Sequence, residues 1–394
     1  MLTTAAIGEA AAWTEALAAV GLVEDGPAPA PDLALFFASP NYAEMDALVT
    51  QAYRRSGASS LIGCTGMGVI GTGREIEDSP AVSFLGLNLP GAELAAIHVE
   101  MDDLAELRDP DKLRTWTSLV DSRVNAWIVL ADPFSFDPEP LIQDLTAASP
   151  GSTIVGGLAS GSSTERRSRL FLNDEVFESG AIVLALGGAY TVRSVVAQGA
   201  TPIGEPWTIT GVDRNILHTI GNRPALEVLR ETLEALPDDL QRRAARNLLV
   251  GLAMNEYKDH FDQGDFLIRN LMGADPKSGA IAVGALPEVG HTIQFQVRDA
   301  TAADQDLRRQ LAATREQLGD AEVAGALLCT CNGRGIGLFG APDHDAAAVA
   351  EELGPLPLAG FFCNGEVGPV QGKTYVHGFT ASLALFIPTS SAGI

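Results

Sequence analysis

The sequence predicts an α/β to α+β fold with two modules. Each module is expected to have mixed parallel and antiparallel sheets covered by helices, with glycine loops at strand ends. The chain has 394 residues, more than one hydrophobic core usually holds. A strand, helix, strand, glycine loop and strand follow one another in this order three times along it. The strand–helix–strand part favours parallel neighbours, and the short connections after it favour antiparallel ones.

Residues 1–31 are predicted to form an N-terminal helix and a linker. The helix is expected over residues 4–20, where Glu9 and Glu15 interrupt the apolar residues. Because the segment lacks a basic stretch before its apolar part, an amphipathic helix is favoured over a signal peptide. Residues 26–31 are rich in proline and glycine, as linkers often are.

The first module is predicted over residues 32–211 and contains two copies of the repeated pattern. Short apolar runs bounded by glycine or proline indicate its strands, and apolar residues at helical spacing indicate its helices. Strands are predicted over 33–38, 59–64, 81–87, 94–99, 126–131, 153–157, around Leu170 and over 182–186. Helices are predicted after Asn41, which is expected to cap the first of them, and over 140–148.

The second module is predicted over residues 212–394 and ends with the third copy of the pattern. Its helices are predicted from residue 222 and over 237–246, 307–318 and 345–353. Its strands are predicted over 247–254, 266–272, 280–283, 292–297, 325–331, 358–363 and 379–386.

Charge and hydropathy exclude several kinds of partner. The formal net charge is −24 and the pI is about 4.5, so the surface repels the phosphates of nucleic acid and of anionic membranes. No segment approaches the ~20 apolar residues of a membrane helix. The four cysteines are expected to be reduced thiols in the cytoplasm, since no export signal is recognised.

The first glycine-rich motif covers residues 63–74 at the end of a predicted strand, and a loop is expected over its residues 65–74. Its glycines allow a ligand to approach the backbone closely. A dinucleotide site is disfavoured because the loop is expected to lead into a strand rather than a helix N-terminus. Two interpretations remain, namely a small-ligand loop that uses Cys64 and Thr65, and a tight structural turn.

Two further motifs each place a Cys-Asn-Gly step directly after an apolar strand, at Cys331 and at Cys363. Arg334 is suited to hold a carboxylate in a bidentate manner, and Glu366 is suited to hold an ammonium group. Together they would bind an amino acid or a similar zwitterion. The alternative is a pair of structural turns, with Arg334 and Glu366 paired in solvent and contributing about 0–1 kcal/mol.

The two Cys-Asn-Gly steps are expected to meet in one pocket. A crossover connection through one helix would put the ends of both strands at the same sheet edge, where ligands of α/β sheets commonly bind. The predicted ligand-binding residues are Cys64, Thr65, Cys331, Asn332, Arg334, Cys363, Asn364, Glu366 and His377.

These motifs carry a resemblance to the FIST family. Residues 331–335, 358–369 and 377–383 resemble the C-terminal FIST module, and residues 61–75 resemble the glycine motif of the N-terminal module. The segments 198–206 and 264–271 are also similar to family features. The resemblance implies a cytoplasmic sensory protein that binds a small molecule, such as an amino acid, as a signal input and acts on a signalling partner protein. It assigns no role to individual residues.

Three alternatives to a sensor remain at this point. A cysteine-dependent enzyme would use Cys331 or Cys363 as a thiolate beside His377, although thiols after buried strands are more often packing residues. Cys329, Cys331, Cys363 and His377 would be the ligands of a zinc site, but paired Cys-x-x-Cys steps are lacking. An interaction scaffold is the third alternative. The prediction includes no cofactor and no metal.

Overall fold

The computed structural model divides into two compact units. Residues Met1–Val196, Leu307–Val376 and Thr380–Ile394 form unit 1, and residues Ala197–Asp306 and His377–Phe379 form unit 2. The residues that the structure describes are 3–23, 30–107, 116, 118–161 and 167–391. Most of the predicted linker, residues 24–29, therefore lies outside the described residues.

The strands of the described residues are numbered in chain order. They are β1 (Thr4–Glu9), β2 (Leu33–Ala38), β3 (Ser60–Thr65), β4 (Val69–Gly71), β5 (Arg74–Ile76), β6 (Ala81–Leu87), β7 (Ala92–Val99), β8 (Val124–Ala131), β9 (Thr153–Leu158), β10 (Leu170–Leu172), β11 (Glu175–Phe177), β12 (Ala181–Gly188), β13 (Tyr190–Gln198), β14 (Ala200–Asp213), β15 (Ile216–Ile220), β16 (Arg223–Pro224), β17 (Leu248–Ala253), β18 (Phe266–Asp275), β19 (Ala280–Val283), β20 (Thr292–Arg298), β21 (Gly325–Cys331), β22 (Leu358–Cys363), β23 (Glu366–Val370), β24 (Lys373–His377) and β25 (Thr380–Pro388).

The helices are numbered in the same way. They are α1 (Trp13–Ala19), α2 (Met45–Ser56), α3 (Met101–Leu107), α4 (Pro138–Ala148), α5 (Ala225–Glu234), α6 (Asp238–Asn247), α7 (Ala300–Leu318), α8 (Gly335–Phe339) and α9 (His344–Leu353), followed by a 3-10 turn at Thr389–Ser391.

Unit 1 contains three sheets, each built around one parallel strand pair. The strand orders are β1-β6-β2-β3-β10-β11, β24-β23-β9-β8-β12-β7 and β13-β25-β21-β22-β4-β5. The parallel pairs are β2–β3, β8–β9 and β21–β22, and helices connect the two strands of each pair. Antiparallel strands such as β6, β12 and β25 lie beside them. The prediction of mixed sheets is therefore confirmed.

A glycine occupies the same place in all three parallel pairs. Gly63, Gly156 and Gly360 each face a residue of the neighbouring strand, and a Cβ atom built on them would lie 1.7, 1.9 and 2.0 Å from its carbonyl oxygen. Only glycine permits so close an approach of two backbones. The partners are Phe36 for Gly63, Val129 for Gly156 and Leu328 for Gly360.

The three sheets of unit 1 share one hydrophobic core. Its largest cluster contains Leu35 of β2, Ile128 of β8 and Leu327 of β21, all at most 1% exposed. Phe37 stacks on Phe361 with ring centroids 4.8 Å apart. The inward faces of the three repeats therefore pack against one another, and this leaves the strand ends free to form sites.

Unit 2 contains a single seven-stranded sheet within the described residues. Its strand order is β14-β20-β17-β18-β19-β15-β16, and the neighbours are antiparallel. Helix α5 contributes Val228 and Leu229 to a core that also contains Val250 and Phe295. The sequence-based boundary at residue 212 lies inside β14. The compact units differ from the predicted modules, because unit 1 contains the third repeat together with the first two. The division into 32–211 and 212–394 stays a prediction about sequence modules.

Three local predictions need correction. Residues 4–9 are strand β1 rather than the start of a helix, and only residues 13–19 are helical. Strand β1 pairs along its whole length with β6, a partner some 75 residues away that local periodicity does not reveal. The helix expected after Asn41 begins at Met45, without a side-chain cap. The loop expected over residues 65–74 contains β4 and the start of β5.

Candidate functional site

The carboxyl ends of β21 and β22 meet at one sheet edge, as the sequence predicts. Cys331 and Cys363 are partners in the parallel register. One residue later, the backbone N–H of Asn332 donates to the carbonyl oxygen of Cys363 at 2.9 Å. Nδ2 of Asn332 donates to Oδ1 of Asn364 at 2.8 Å. The two Cys-Asn-Gly steps therefore present their amide side chains side by side.

The end of β9 joins the same edge through Asn364 and Ser160. The backbone N–H of Asn364 donates to the carbonyl oxygen of Leu158 at 3.0 Å, and its Nδ2 donates to that of Ala159 at 3.2 Å. The Ser160 hydroxyl donates to the carbonyl oxygen of Phe362 at 2.5 Å.

Ser160 also forms hydrogen bonds at the end of β3. Its backbone N–H donates to the carbonyl oxygen of Thr65 at 3.0 Å, and its Oγ accepts the backbone N–H of Met67 at 2.7 Å. Ser160 is fully buried. All three repeats are thus connected by hydrogen bonds where their parallel strands end.

A cavity of about 600 Å³ opens at these strand ends in unit 1. Two side-chain amides and two carboxylates form its polar wall, and Met67, Phe134 and Phe362 contribute apolar surface. Among the described residues that line it, none is basic. The lining residues are Met67, Glu77, Asp78, Pro133, Phe134, Gly161, Asn332, Phe362 and Asn364.

Glu77 is fixed at the edge of this cavity by the start of α8. Its Oε1 accepts the backbone N–H of Ile336 at 2.9 Å. Gly335 has a φ of +63°, and a Cβ built on it would lie 2.4 Å from Oε2 of Glu77. Burial raises the pKa of Glu77. The last glycine of the Cys-Asn-Gly-Arg-Gly run is therefore favoured by its left-handed backbone conformation, and the neighbouring carboxylate lies close against it.

Arg334 lies behind the strand end instead of in the cavity wall. Its Nε and Nη2 donate to Asp345 Oδ2 and Oδ1 at 2.6 and 2.9 Å, and the two side chains are 0% and 1% exposed. Asp345 also accepts from the hydroxyl of Thr330. Burial alone would raise the pKa of Asp345, but the charge of Arg334 and the hydrogen bonds hold it well below its usual range. The bidentate carboxylate that the sequence assigns to a ligand is supplied here by the chain itself.

Glu366 is likewise buried, at 0% exposure. The Cys363 thiol donates to its Oε1 at 3.1 Å, and the backbone N–H of Thr380 donates to its Oε2 at 3.1 Å. Burial raises the pKa of Glu366 to about 8. It also raises the pKa of the Cys363 thiol well above the usual value, with the nearby Glu366 charge adding to the effect. Neither residue lines the cavity.

The other predicted site residues have different surroundings. Cys64 is buried in the shared core of unit 1, and Thr65 lines a separate cavity of about 320 Å³. Cys331 is half-buried at the end of β21. His377 is buried and belongs to unit 2. The structure therefore brings six of the nine residues to the carboxyl ends of β21 and β22, namely Cys331, Asn332, Arg334, Cys363, Asn364 and Glu366. Of these six, only Asn332 and Asn364 line the cavity.

The sequence analysis did not single out four residues of this region, namely Glu77, Asp78, Ser160 and Asp345. A signal existed for the first two, since the acidic pair follows the first glycine motif after only two intervening residues, Glu75 and Ile76. Ser160 lies in a stretch, residues 158–163, whose glycines and serines predict only a loop, and Asp345 stands at the start of a predicted helix. Their roles depend on contacts between distant segments, which the sequence does not display.

The cysteines and acidic residues bear on the two chemical alternatives, a metal site and a reactive thiol. No group of three or more His, Cys, Asp or Glu residues in the described part of the chain is arranged to hold a metal ion. All four cysteines fall within the described residues and are free thiols. Burial raises the pKa of Cys64, Cys329 and Cys363 well above the usual value, which disfavours the reactive thiolate form.

Comparison with known proteins decides the family. Residues 32–223 match the FIST N domain, and residues 225–369 match the FIST C domain. The chain belongs to the FIST family. FIST domains are small-ligand sensory domains of signal-transduction proteins. None of the helices that the structure describes is long and apolar enough to cross a membrane.

Relatives of this FIST protein occur in mycobacteria. An uncharacterized protein of Mycobacterium tuberculosis is 43% identical over 329 residues, which is 84% of each chain. An uncharacterized protein of Mycobacterium bovis is 39% identical over 359 residues, 91% of each chain. A solved structure of a cyanuric acid hydrolase aligns with 76% of this chain and 100% of its own. Its TM-score of 0.16 and identity of 9% are too low to indicate a shared fold.

Proposed function

We propose that this FIST protein binds a small ligand with an ammonium group, such as an amino acid, as a signal input. The observation that carries the proposal is the cavity of about 600 Å³ at the ends of the three parallel strand pairs. Its size lies within the usual range of small-molecule sites, and a few convergent polar groups on an apolar wall are typical of them.

The charge of the cavity favours a cationic group. Glu77 and Asp78 line it, and no basic residue does so among the described lining residues. An ammonium group placed beside these carboxylates would gain charge-assisted hydrogen bonds. The net charge of −24 would also raise the local concentration of cations.

The two asparagines give the cavity its donors. Each amide carries two N–H donors, of which Asn332 uses one on Asn364 and Asn364 uses one on Ala159. The remaining donors are suited to the carboxylate of an amino acid, and Met67 and Phe134 to its side chain. For Cys64, Thr65, Cys331 and His377, a direct ligand contact stays a prediction.

Arg334 and Glu366 are proposed to support the site from behind. Arg334 is paired with Asp345, and Glu366 with Cys363 and Thr380. These contacts hold the segments that carry Asn332 and Asn364, so the two charged residues would act as positioning residues. The proposal includes a cytoplasmic location, which the free thiols support, and a partner protein that responds to the ligand.

Ligand binding can be tested by thermal unfolding with the twenty amino acids, each compared with its N-acetylated form. At least one free amino acid is expected to raise the melting temperature, because binding to the folded state stabilises it by about 2.7 kcal/mol at a hundredfold excess over Kd. The N-acetylated form, which lacks the ammonium group, is expected to have no such effect.

Two variants locate the site. Asn364→Ala and Asp78→Asn should each remove most of the ligand-induced shift. Asp320→Asn is the matched control, because Asp320 is exposed and lies outside the cavity lining. An N-acetylated ligand that binds as well as the free one would refute ammonium recognition. A full shift in both cavity variants would refute the site.

A further inference from the structure

A second cavity of unit 1 lies at the other end of the β8–β9 pair. It has a volume of about 350 Å³. Asn125 and Thr153, which line it, stand at the starts of β8 and β9, whereas the first cavity lies where these strands end. The lining residues are Arg123, Asn125, Gly151, Thr153, Thr191, Val192, Arg193, Ser194, Pro369 and Ile387.

The charge of this second cavity is opposite to that of the chain. It is lined by Arg123 and Arg193, and by no acidic residue among those that the structure describes. Within the same described set, no carboxylate forms an ion pair with either arginine. The protein has a net charge of −24. Two arginines without an acidic partner therefore make this cavity locally positive, and a positive cavity attracts anions.

Both guanidinium groups keep most of their donors available. Nη2 of Arg123 donates to the carbonyl oxygen of Pro150 at 2.8 Å. Nη1 of Arg193 donates to Oε1 of Gln317 at 2.8 Å. Each guanidinium has five N–H donors, so these contacts orient the arginines without exhausting them. Nη2 of Arg123 also lies 3.2 Å from the position of a Cβ on Gly151, whose φ is +83°.

Two buried polar atoms of the lining residues are also unsatisfied. Nε of Arg193 and Oγ of Ser194 are buried and have no hydrogen-bond partner among the described residues. Buried polar groups normally have one. Because both atoms are closed to solvent, they do not face the open cavity, and the case for an anion depends on the remaining N–H donors of the two arginines.

We propose that this cavity binds a small organic anion that carries a carboxylate or a phosphate group. A guanidinium group suits such planar or tetrahedral oxyanions because it offers parallel N–H donors. Val192, Pro369 and Ile387 provide apolar surface for an organic body, and the volume is within the range of small-molecule sites. The site is independent of the acidic cavity, because it selects the opposite charge at the opposite end of the strand pair.

The test compares three probes of similar shape on the intact protein by isothermal titration calorimetry. Phenyl phosphate and benzoate are the anions, and benzyl alcohol is the neutral comparison, each at an ionic strength matched with sodium chloride. We expect at least one anion to bind at least tenfold more tightly than benzyl alcohol, and none of the three probes carries the ammonium group that the acidic cavity would select. Binding of phenyl phosphate alone assigns the site to phosphate, and binding of benzoate alone assigns it to carboxylate.

Variants then place the binding at this cavity. Arg123→Gln and Arg193→Gln should each weaken binding of the anion at least tenfold. Arg54→Gln should change it less than twofold, since Arg54 is exposed on α2 and lies outside the cavity. The proposal is overturned if neither anion binds better than benzyl alcohol, or if both cavity variants bind like the wild type. The benzyl alcohol comparison uses the unmodified protein and so does not depend on how the variants fold. Failure of the acidic-cavity proposal would leave these results unchanged, because no probe carries an ammonium group.

Discussion

Asp345 accepts two hydrogen bonds from the guanidinium group of Arg334, at 2.6 and 2.9 Å, and both side chains are buried. Removing one partner would leave the other as an uncompensated buried charge. We therefore expect Arg334→Ala to lower the free energy of unfolding by about 3–5 kcal/mol, as measured by urea denaturation.

A surface pair provides the control for this measurement. Arg74 and Glu9 lie 3.2 Å apart with side chains 51% and 45% exposed, so Arg74→Ala should cost no more than about 1 kcal/mol. If Arg334→Ala is as mild as Arg74→Ala, the ion pair does not stabilise the fold. A loss of ligand binding without a loss of stability would instead make Arg334 a ligand contact.

Glu366 should make stability depend on pH. Its pKa is raised by burial from 4.5 to about 8, so the folded protein holds a proton that the unfolded chain releases. This contribution is present in full below pH about 4.5 and is lost as the pH rises through about 8. The free energy of unfolding should therefore fall between pH 5 and pH 8.5 at constant ionic strength.

The variant Glu366→Gln should flatten this dependence, because the amide keeps an acceptor for the N–H of Thr380 but carries no titratable proton. Glu75, whose pKa is also raised to about 8 by burial, should retain part of the slope. A variant with the same slope as the wild type would show that Glu366 does not titrate in this range.

Gly360→Ala should disrupt the β21–β22 pair. Its Cβ would lie 2.0 Å from the carbonyl oxygen of Leu328, and a backbone atom cannot give way as a flexible side chain can. The loss of stability should exceed the about 1–3 kcal/mol of ordinary overpacking, as measured by thermal or urea unfolding.

Gly337→Ala is the matched control for this substitution. Outside its chain neighbours and the backbone of its own helix, no atom of the described residues lies within 4 Å of its Cβ position, and it lies inside the short helix α8. It should be neutral or stabilising by about 0.4–1 kcal/mol. Equal effects of the two substitutions would mean that the close backbone approach at Gly360 is not a constraint.

Thiol reactivity should separate Cys331 from the other cysteines. Cys64, Cys329 and Cys363 are buried with raised pKa values, whereas Cys331 is half-buried. Titration of the folded protein with a chromogenic disulfide should therefore give at most one fast thiol, which Cys331→Ser removes. The unfolded protein should give four. Several fast thiols in the folded state would contradict the burial described here.

The sequence was most informative where local pattern decides structure. The apolar strand, helix and glycine-bearing strand predicted the parallel pairs, and hence that Asn332 and Asn364 would be neighbours. The sequence analysis failed for Arg334. Its guanidinium group is buried because it pairs with the carboxylate of Asp345 on helix α9, and the sequence does not show this pairing. It also missed Glu77, whose contact with Ile336 spans 259 residues. Such pairings are set by how sheets pack, which periodicity does not encode.

The order of the segments in unit 1 has a consequence for synthesis on the ribosome. Strands β4, β9 and β13 pair with β22, β23 and β25, which follow them by more than 150 residues. When residues 1–198 have emerged, these three strands still present unpaired backbone edges, which are prone to association with other chains. Unit 2 is almost continuous in sequence and can complete its sheet before strands β4, β9 and β13 are covered. Nascent chains should therefore depend on protection, such as a holding chaperone, until residues 358–388 have left the exit tunnel.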